Sequence, residues 1–439
     1  MNSPFQIAIV GASLAGATAA TALREAGYDG AIRLFGAESH LPYIRPPLSK
    51  GYLAGTDLRA SLDVHEEAWY RDNDIDLHLG TRIARLDPTA GTVTDSDRMT
   101  HRFDRALLAT GSVPRRLPIR GADLDGVLSL RTLDDSDRLR EIIAGGGREV
   151  VLIGSGWIGM EVAASARTLG NEVTILERDP IPLAGALGDE LGSYFADVHA
   201  AHGVGIRTCV EVDSIAGEGG HATGVRLADG DVVPADVVIV GVGAVPVIEL
   251  AEHAGLAVRN GVLTDSSLRT SAPNVWAAGD IAFAVHPLID GRLRSEHWAN
   301  AIDGGTTAAR AMLGERVEHD AVPYFFTDQF DVGMEYAGFA PLTAGAEVVY
   351  RGEPSSGSFI AFWLRENRVV AGMNVNVWDV NDDIKSLVAS RAPVARERLR
   401  DPDLPLPDLL SAPGSQAAGS RAAETQAAKS QTVEGRAAS

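Results

Sequence analysis

The sequence predicts an α/β protein: two similar nucleotide-binding halves, then a smaller α+β region. Three observations point there. A strand, a glycine turn and a helix open at residue 5, and the same succession returns near residue 148. Each half then repeats the same decorations in the same order. Beyond residue 320 the pattern changes to short alternating strands.

The first half begins with FQIAIV, the turn GASLAG and a helix expected over residues 14–26. A second strand, AIRLFG, leads to the acidic Glu38. TRIARLD and GTVTD read as an antiparallel meander, and RALLATG closes the half as an apolar strand ending in glycine. The second half opens on REVVLIG and GSGWIG, with a helix expected over 160–169. EVTILE ends at Glu177, a meander turns at Asp229-Gly230, and ADVVIVGVG closes the half. NVWAAGD adds a strand ending at Asp280. In the last region AEVVYRG, SFIAFWL and NRVVAGMNV read as antiparallel strands turning at Glu366-Asn367, with a short helix over 382–390. The tail from Ser411 onward has almost no bulky apolar residues. It cannot bury enough surface to offset the entropy of ordering, so disorder is expected.

Composition excludes several classes. The net charge is −20, against the positive balance expected of a nucleic-acid-binding protein. The single cysteine, Cys209, rules out a disulfide framework, a Cys-x-x-Cys pair and a multi-cysteine metal site. It is expected to be a small buried residue. No metal site is expected. No apolar run is long enough to span a membrane, and no signal-peptide pattern opens the chain, so a cytoplasmic protein is expected.

The motifs have a physical logic. A helix N-terminus presents unpaired N–H groups and partial positive charge, which suit a pyrophosphate, and glycines let it approach. An acid at the end of the next strand accepts hydrogen bonds from a ribose diol. The second half has the full set: Gly154, Gly156, Gly159 and Glu177. Glu177 favours NADH over NADPH, because a carboxylate repels a 2′-phosphate, although Arg178 follows it directly. The first half has Gly11 and Gly16, but Ser13 stands where the middle glycine belongs. Serine adds a Cβ as an obstruction and a hydroxyl able to donate to phosphate. Thr110 and Gly111 lie at a strand end beside this turn, and Asp280 is placed to bind a polyol such as a ribityl chain, which points to a flavin. YIRPPLSKGYL is stiffened by two prolines and presents Arg45 and Lys50.

At VGASLAG, RPPLSK, LLATGSVPR, LRTLDD, GSGWIGMEVA, VWAAGD, SEHWANA and MNVNVWDVND the chain resembles the FAD-dependent, NADH-using ferredoxin reductases of oxygenase systems. The resemblance covers residues 5 to about 400. It implies two Rossmann-like domains plus a C-terminal α+β domain, the pyridine nucleotide–disulfide reductase architecture without the redox cysteines. Residues 1–115 and 244–320 would bind FAD, 116–243 NADH, 321–402 would form the last domain, and 403–439 the disordered tail. FAD would lie on Gly11, Ser13, Leu14, Ala15 and Gly16, with Glu38 at the adenosine ribose and Ile83 holding the adenosine end. Arg45, Lys50, Thr110, Gly111 and Arg131 would approach the cofactor; Gly279 and Asp280 would meet the ribityl chain, and the Trp298 backbone the flavin ring. NADH would lie on Gly154, Gly156, Trp157, Ile158 and Gly159, with Glu161, Glu177 and Gly243. Lys50 and Glu161 would pair across the nicotinamide pocket, in tuning roles. The implied activity passes electrons from NADH through FAD, singly, to a small 2Fe–2S ferredoxin serving a haem-thiolate monooxygenase or Rieske dioxygenase, as a monomer or weak homodimer. An association module resembling apoptosis-inducing factor, or a related NADH oxidase, is the alternative. Tyr324 and Phe326 stand where relatives often have tryptophans. His297 is expected to be a satisfied structural histidine, and Trp363 and Trp378 are expected in the core.

Overall fold

The computed structural model describes residues 5–410. They divide into two compact units between Glu335 and Tyr336.

In the first unit, β1 (Ile7–Val10) turns into α1 (Leu14–Glu25), and β2 (Ile32–Phe35) returns parallel to it. β3 (Ile75–His78) extends the sheet beyond β2, and β4 (Arg105–Leu108) flanks β1 on the other side. The second half contributes α2 (Leu133–Ile143), β5 (Glu149–Ile153), α3 (Trp157–Thr168) and β6 (Glu172–Leu176). It continues through α4 (Asp189–Ala201), β7 (Gly205–Arg207) and β8 (Val237–Val240). β9 (Val275–Ala277) then completes the first sheet, α5 (Trp298–Met312) follows, and β10 (Tyr324–Gln329) comes near the end of the unit.

The first sheet runs β9-β4-β1-β2-β3 and the second β7-β6-β5-β8, ending on the short strand Val127–Leu128. The shared order 3-2-1-4 is that of a dinucleotide-binding sheet. All four residues of β1 are buried, as befits a parallel strand covered on both faces. Each half also has its antiparallel meander: Ile83–Asp87, Thr92–Asp95 and Thr100–Arg102 in the first, Val212–Glu218, His221–Leu227 and Val232–Pro234 in the second. Gly230 turns the second meander with φ +97°, as the Asp-Gly pair predicts. The helix expected from residue 160 starts at Trp157 instead, because Gly156 is its N-cap and the fingerprint itself supplies the first turn.

In the second unit β11 (Glu347–Arg351), β12 (Phe359–Arg365) and β13 (Arg368–Val375) form an antiparallel ladder, followed by α6 (Asn381–Ser390). Glu366 and Asn367 turn the second hairpin with φ of 52° and 60°, both left-handed as a tight two-residue loop requires. Trp363 is buried, but Trp378 is 55 % exposed, which corrects the expectation that both belong to the core. Trp378 sits in the loop after β13, between Asn376 and Asp379, both at positive φ. Residues 403–410, the first of the stretch 403–439 expected to be disordered, are instead packed. The Arg351 guanidinium donates to the carbonyls of Arg398, Leu399 and Leu404, and Leu406 and Leu409 are buried. The rest of the expected tail lies outside the described residues.

Candidate functional site

The two glycine turns differ in what demands each glycine. A Cβ on Gly11 would stand 2.0 Å from the Ala109 carbonyl oxygen, and one on Gly16 2.0 Å from that of Gly11. Both glycines are required by the protein's own packing. Gly154 and Gly159 are hemmed in the same way, with backbone oxygens at 2.6 and 2.5 Å. Gly156 is different. Its φ is an ordinary −68°, and a Cβ there would meet only the Gly241 oxygen, at 3.9 Å. Nothing in the protein's own packing requires glycine at this place. Ser13 occupies the equivalent place in the first half, N-capping α1 with φ −121° and no side-chain bond to the helix. The leading N–H groups of α1 and α3 therefore have no side-chain cap. Leu14 and Ala15 are buried in α1; at the start of α3 Trp157 packs on Phe325 while Ile158 is 48 % exposed.

The two acids are held differently. Glu177 follows β6, and its carboxylate accepts from the Ser155 N–H (2.9 Å), the Ser155 hydroxyl (2.6 Å) and the Asp179 N–H (2.8 Å). Burial works to raise its pKa, but these bonds and the Arg178 N–H outweigh it and hold the group below the usual carboxylate range. Arg178 itself points to solvent beside Asp179. Glu38 accepts from Tyr43 Oη (2.6 Å) and Arg45 Nη2 (2.9 Å), and Arg45 also donates to the Arg131 carbonyl. Arg45 thus braces Glu38. Desolvation of the Tyr43 phenol, with Glu38 beside it, pushes its pKa up beyond the ordinary range.

The RPPLSK segment is clasped from two helices. Leu48 and Tyr52 are buried in a cluster with Tyr43, Leu62 and Leu133. From α2, Ser136 donates to the Leu48 carbonyl; from α3, Ser165 donates to that of Ser49. Lys50 emerges from this clasp 13 % exposed, and its Nζ lies 2.9 Å from Oε1 of Glu161, which is 4 % exposed. Ser49 Oγ donates to Glu161 Oε2 (2.5 Å) and Thr327 Oγ1 to Oε1 (2.7 Å), so both oxygens of the buried carboxylate are hydrogen-bonded. The Lys50 ammonium also lies 5.3 Å from the centre of the Phe326 ring.

Asp280, buried after β9, accepts on one oxygen from both Ser112 Oγ (2.6 Å) and Arg131 Nη2 (2.7 Å). Gly111 lies beside the same guanidinium, and Thr110 donates to the Val247 carbonyl. Gly279 is at φ +73° against Ala15, whereas a Cβ at Gly243 would meet open space. Ile83 packs in a core cluster with Phe35 and Leu86. The Arg131 Nε, the Trp298 Nε1 and the His297 Nδ1 are buried with no partner among the described residues. Burial pushes the pKa of His297 down to about 4, and its ring lies 4.6 Å from that of Phe325. The expectation of a satisfied structural histidine is therefore corrected. Cys209 is also corrected: it is exposed, in a loop at φ +57°.

The match to known proteins is extensive. The family model described as pyridine nucleotide-disulphide oxidoreductase matches residues 5–305. The chain belongs to this family. A second model, the reductase C-terminal domain, matches residues 324–410. Among family members, the chain is 38 % identical to the 5,5'-dehydrodivanillate O-demethylase ferredoxin reductase subunit of a Sphingobium species, covering 93 % of this chain and 99 % of that one. It is 39 % identical to the biphenyl dioxygenase system ferredoxin–NAD(+) reductase component of Paraburkholderia xenovorans, covering 92 % and 98 %. The reductase in the crystal structure of the covalent putidaredoxin reductase–putidaredoxin complex superposes with a TM-score of 0.89 at 33 % identity, over 93 % of this chain and 99 % of that one. Unlike the family's name, this chain has one cysteine and so no redox-active pair.

Several residues of the site were not singled out as site residues by the sequence: Ser49, Ser112, Ser155 and Thr327. Each lies one or two places from a residue or motif that was. Their signal is a small hydroxyl beside a charged or glycine position, which is common in any surface loop.

Proposed function

We propose that the chain passes electrons from NADH through bound FAD, one at a time, to a small 2Fe–2S ferredoxin serving an oxygenase. The observation that best supports the reading is the buried Lys50–Glu161 pair, which joins a loop of the first half to α3 of the second. The residues fit the two nucleotides. Uncapped N–H groups lead α1 and α3, Gly156 answers to no protein constraint, and Arg131 Nε and Trp298 Nε1 are buried donors awaiting an acceptor. FAD supplies, when bound, the conversion of a two-electron hydride donor into single-electron deliveries.

The chain's own groups bind and orient. Gly11 to Gly16 hold the FAD pyrophosphate, with Ser13 donating its hydroxyl. Glu38, braced by Arg45, takes the adenosine ribose; Ile83 backs the adenosine end. Asp280 meets the ribityl chain with the oxygen that Ser112 and Arg131 leave open, and the N-terminus of α5 at Trp298 faces the ring. Gly154, Gly156, Gly159 and Gly243 bed the NADH, with Trp157 and Ile158 beside them, and Glu177 receives its ribose. Lys50 places positive charge where the reduced ring is negative, in a partly dry setting that strengthens the attraction. Glu161 holds Lys50 in place. Residues 1–115 and 244–320 form the FAD-binding domain, 116–243 the NADH-binding domain and 321–402 the C-terminal domain, in a cytoplasmic protein. Among the described residues no helix is long and apolar enough to cross a membrane.

Steady-state turnover tests the partner. NADH oxidation by the holoprotein should accelerate strongly when a 2Fe–2S ferredoxin is added, and a rate that ignores the ferredoxin would remove the reductase reading.

A further inference from the structure

A line of hydrogen bonds leads away from Glu161 into the second half. Glu161 Oε1 accepts from Thr327 Oγ1 at 2.7 Å. Thr327 Oγ1 lies 3.1 Å from Gln329 Nε2, and Gln329 Oε1 lies 2.9 Å from His199 Nε2. Thr327, Gln329, Glu161 and His199 are all buried. Thr327 and Gln329 alternate with exposed Asp328 along β10, so both point to the same face.

The carboxylate sets the direction of every link. An ionised Glu161 only accepts, so Thr327 must donate to it. The threonine hydroxyl then has only its lone pairs left and accepts from the Gln329 amide nitrogen. That orients the amide with its oxygen toward His199, which must donate from Nε2. The imidazole therefore carries a proton on Nε2. Burial pushes the pKa of His199 down to about 4, and its Nδ1 has no partner among the described residues, both in keeping with the neutral ring. All three donors point the same way, and such chains polarise one another in a low-dielectric interior.

We propose that Thr327, Gln329 and His199 are positioning residues, a one-way hydrogen-bond relay that fixes the Glu161 carboxylate and, through it, the Lys50 ammonium. This rests on the role given to the Lys50–Glu161 pair above. None of the three touches the reacting atoms; they act through Glu161.

The chain has only three lysines, Lys50, Lys385 and Lys429, so a protein carrying 13C-labelled lysine gives three side-chain signals. Lys50→Arg identifies the relevant one. Thr327→Val removes the hydroxyl and keeps the shape; Thr327→Ser keeps the hydroxyl and loses the methyl. The Lys50 ε-carbon resonance should move in Thr327→Val and in Gln329→Met, and stay in place in Thr327→Ser, with Lys385 and Lys429 unmoved throughout. The rate of flavin reduction at saturating NADH should fall about tenfold in Thr327→Val, the weight of a hydrogen bond to a charged group, and should also fall in Gln329→Met. The double variant should be no slower than either, because the links form one chain. An unmoved Lys50 signal in Thr327→Val, a Thr327→Ser variant as impaired as Thr327→Val, or multiplying effects in the double variant would each overturn the relay. Gln329→Met breaks two links without removing the Glu161 partner, so it decides the matter if Thr327→Val is poorly folded. Wild-type protein that NADH does not reduce defeats the functional reading instead, while the lysine resonances still judge the relay.

Discussion

Lys50 is chemically unusual in this chain. Three lysines stand among 39 basic residues, leaving 36 arginines. A compact ammonium on a flexible stem can sit over one ring atom while remaining paired with Glu161, which the planar fork of arginine cannot do. Glu177 is the other residue whose setting speaks for itself. Three donors hold its carboxylate ionised at the end of β6, while the neighbouring Arg178 faces water. In the proposed NADH site, discrimination against a 2′-phosphate would rest on Glu177 alone. Glu177→Gln keeps the shape and loses the charge. Its kcat/KM for NADH should fall about tenfold, roughly 1.4 kcal/mol, while that for NADPH holds or rises. An equal fall for both coenzymes would separate Glu177 from coenzyme choice.

At the scale of elements, what was legible in the sequence was local. Glycine turns, alternating strands and the Asp-Gly and Glu-Asn hairpins appear where the pattern places them, because each depends on a few neighbouring residues. The contacts of Glu161 were only half legible. Its pairing with Lys50 followed from resemblance, but its bond to Thr327 spans 166 positions and no local pattern announces it. The bracing of Glu38 by Tyr43 and Arg45 was hidden for a different reason: Arg45 was assigned to the cofactor, and Tyr43 carried no signal of its own. Trp378 was misread because a large apolar residue is normally buried, whereas it lies exposed in a loop between two residues at positive φ. The glycine turns separate fold from function. Gly16→Ala collides with a backbone oxygen and should cost several kcal/mol of stability, at the upper end of overpacking effects. Gly156→Ala meets nothing closer than 3.9 Å. It should leave the melting temperature within about 2 °C and weaken NADH binding at least tenfold. A Gly156→Ala protein that melts much lower but binds NADH normally would assign that glycine to packing.

For the whole molecule, buried neutral histidines set the acid limit. Burial lowers the pKa of His199 and of His319 to about 4, from the ordinary 6.5. The folded values lie below the unfolded ones, so the stability they contribute is complete above pH 6.5. It is lost as pH falls from there to about 4, where both states are protonated. The loss is on the order of 3 kcal/mol for each histidine. The melting temperature should therefore decline steeply between pH 6.5 and 4, and His199→Gln should flatten that decline; a slope unchanged by the substitution would remove His199 from the account. The two nucleotide-binding halves share one strand order, yet differ where Ser13 stands opposite Gly156. In the proposed function the serine-bearing turn takes the cofactor that stays, and the open glycine turn the one that comes and goes. Anaerobic titration of the FAD-loaded protein with NADH tests this division most directly. Flavin absorbance should bleach with one equivalent of NADH, and two equivalents of oxidised 2Fe–2S ferredoxin should restore it. A flavin spectrum that NADH leaves unchanged would contradict the account.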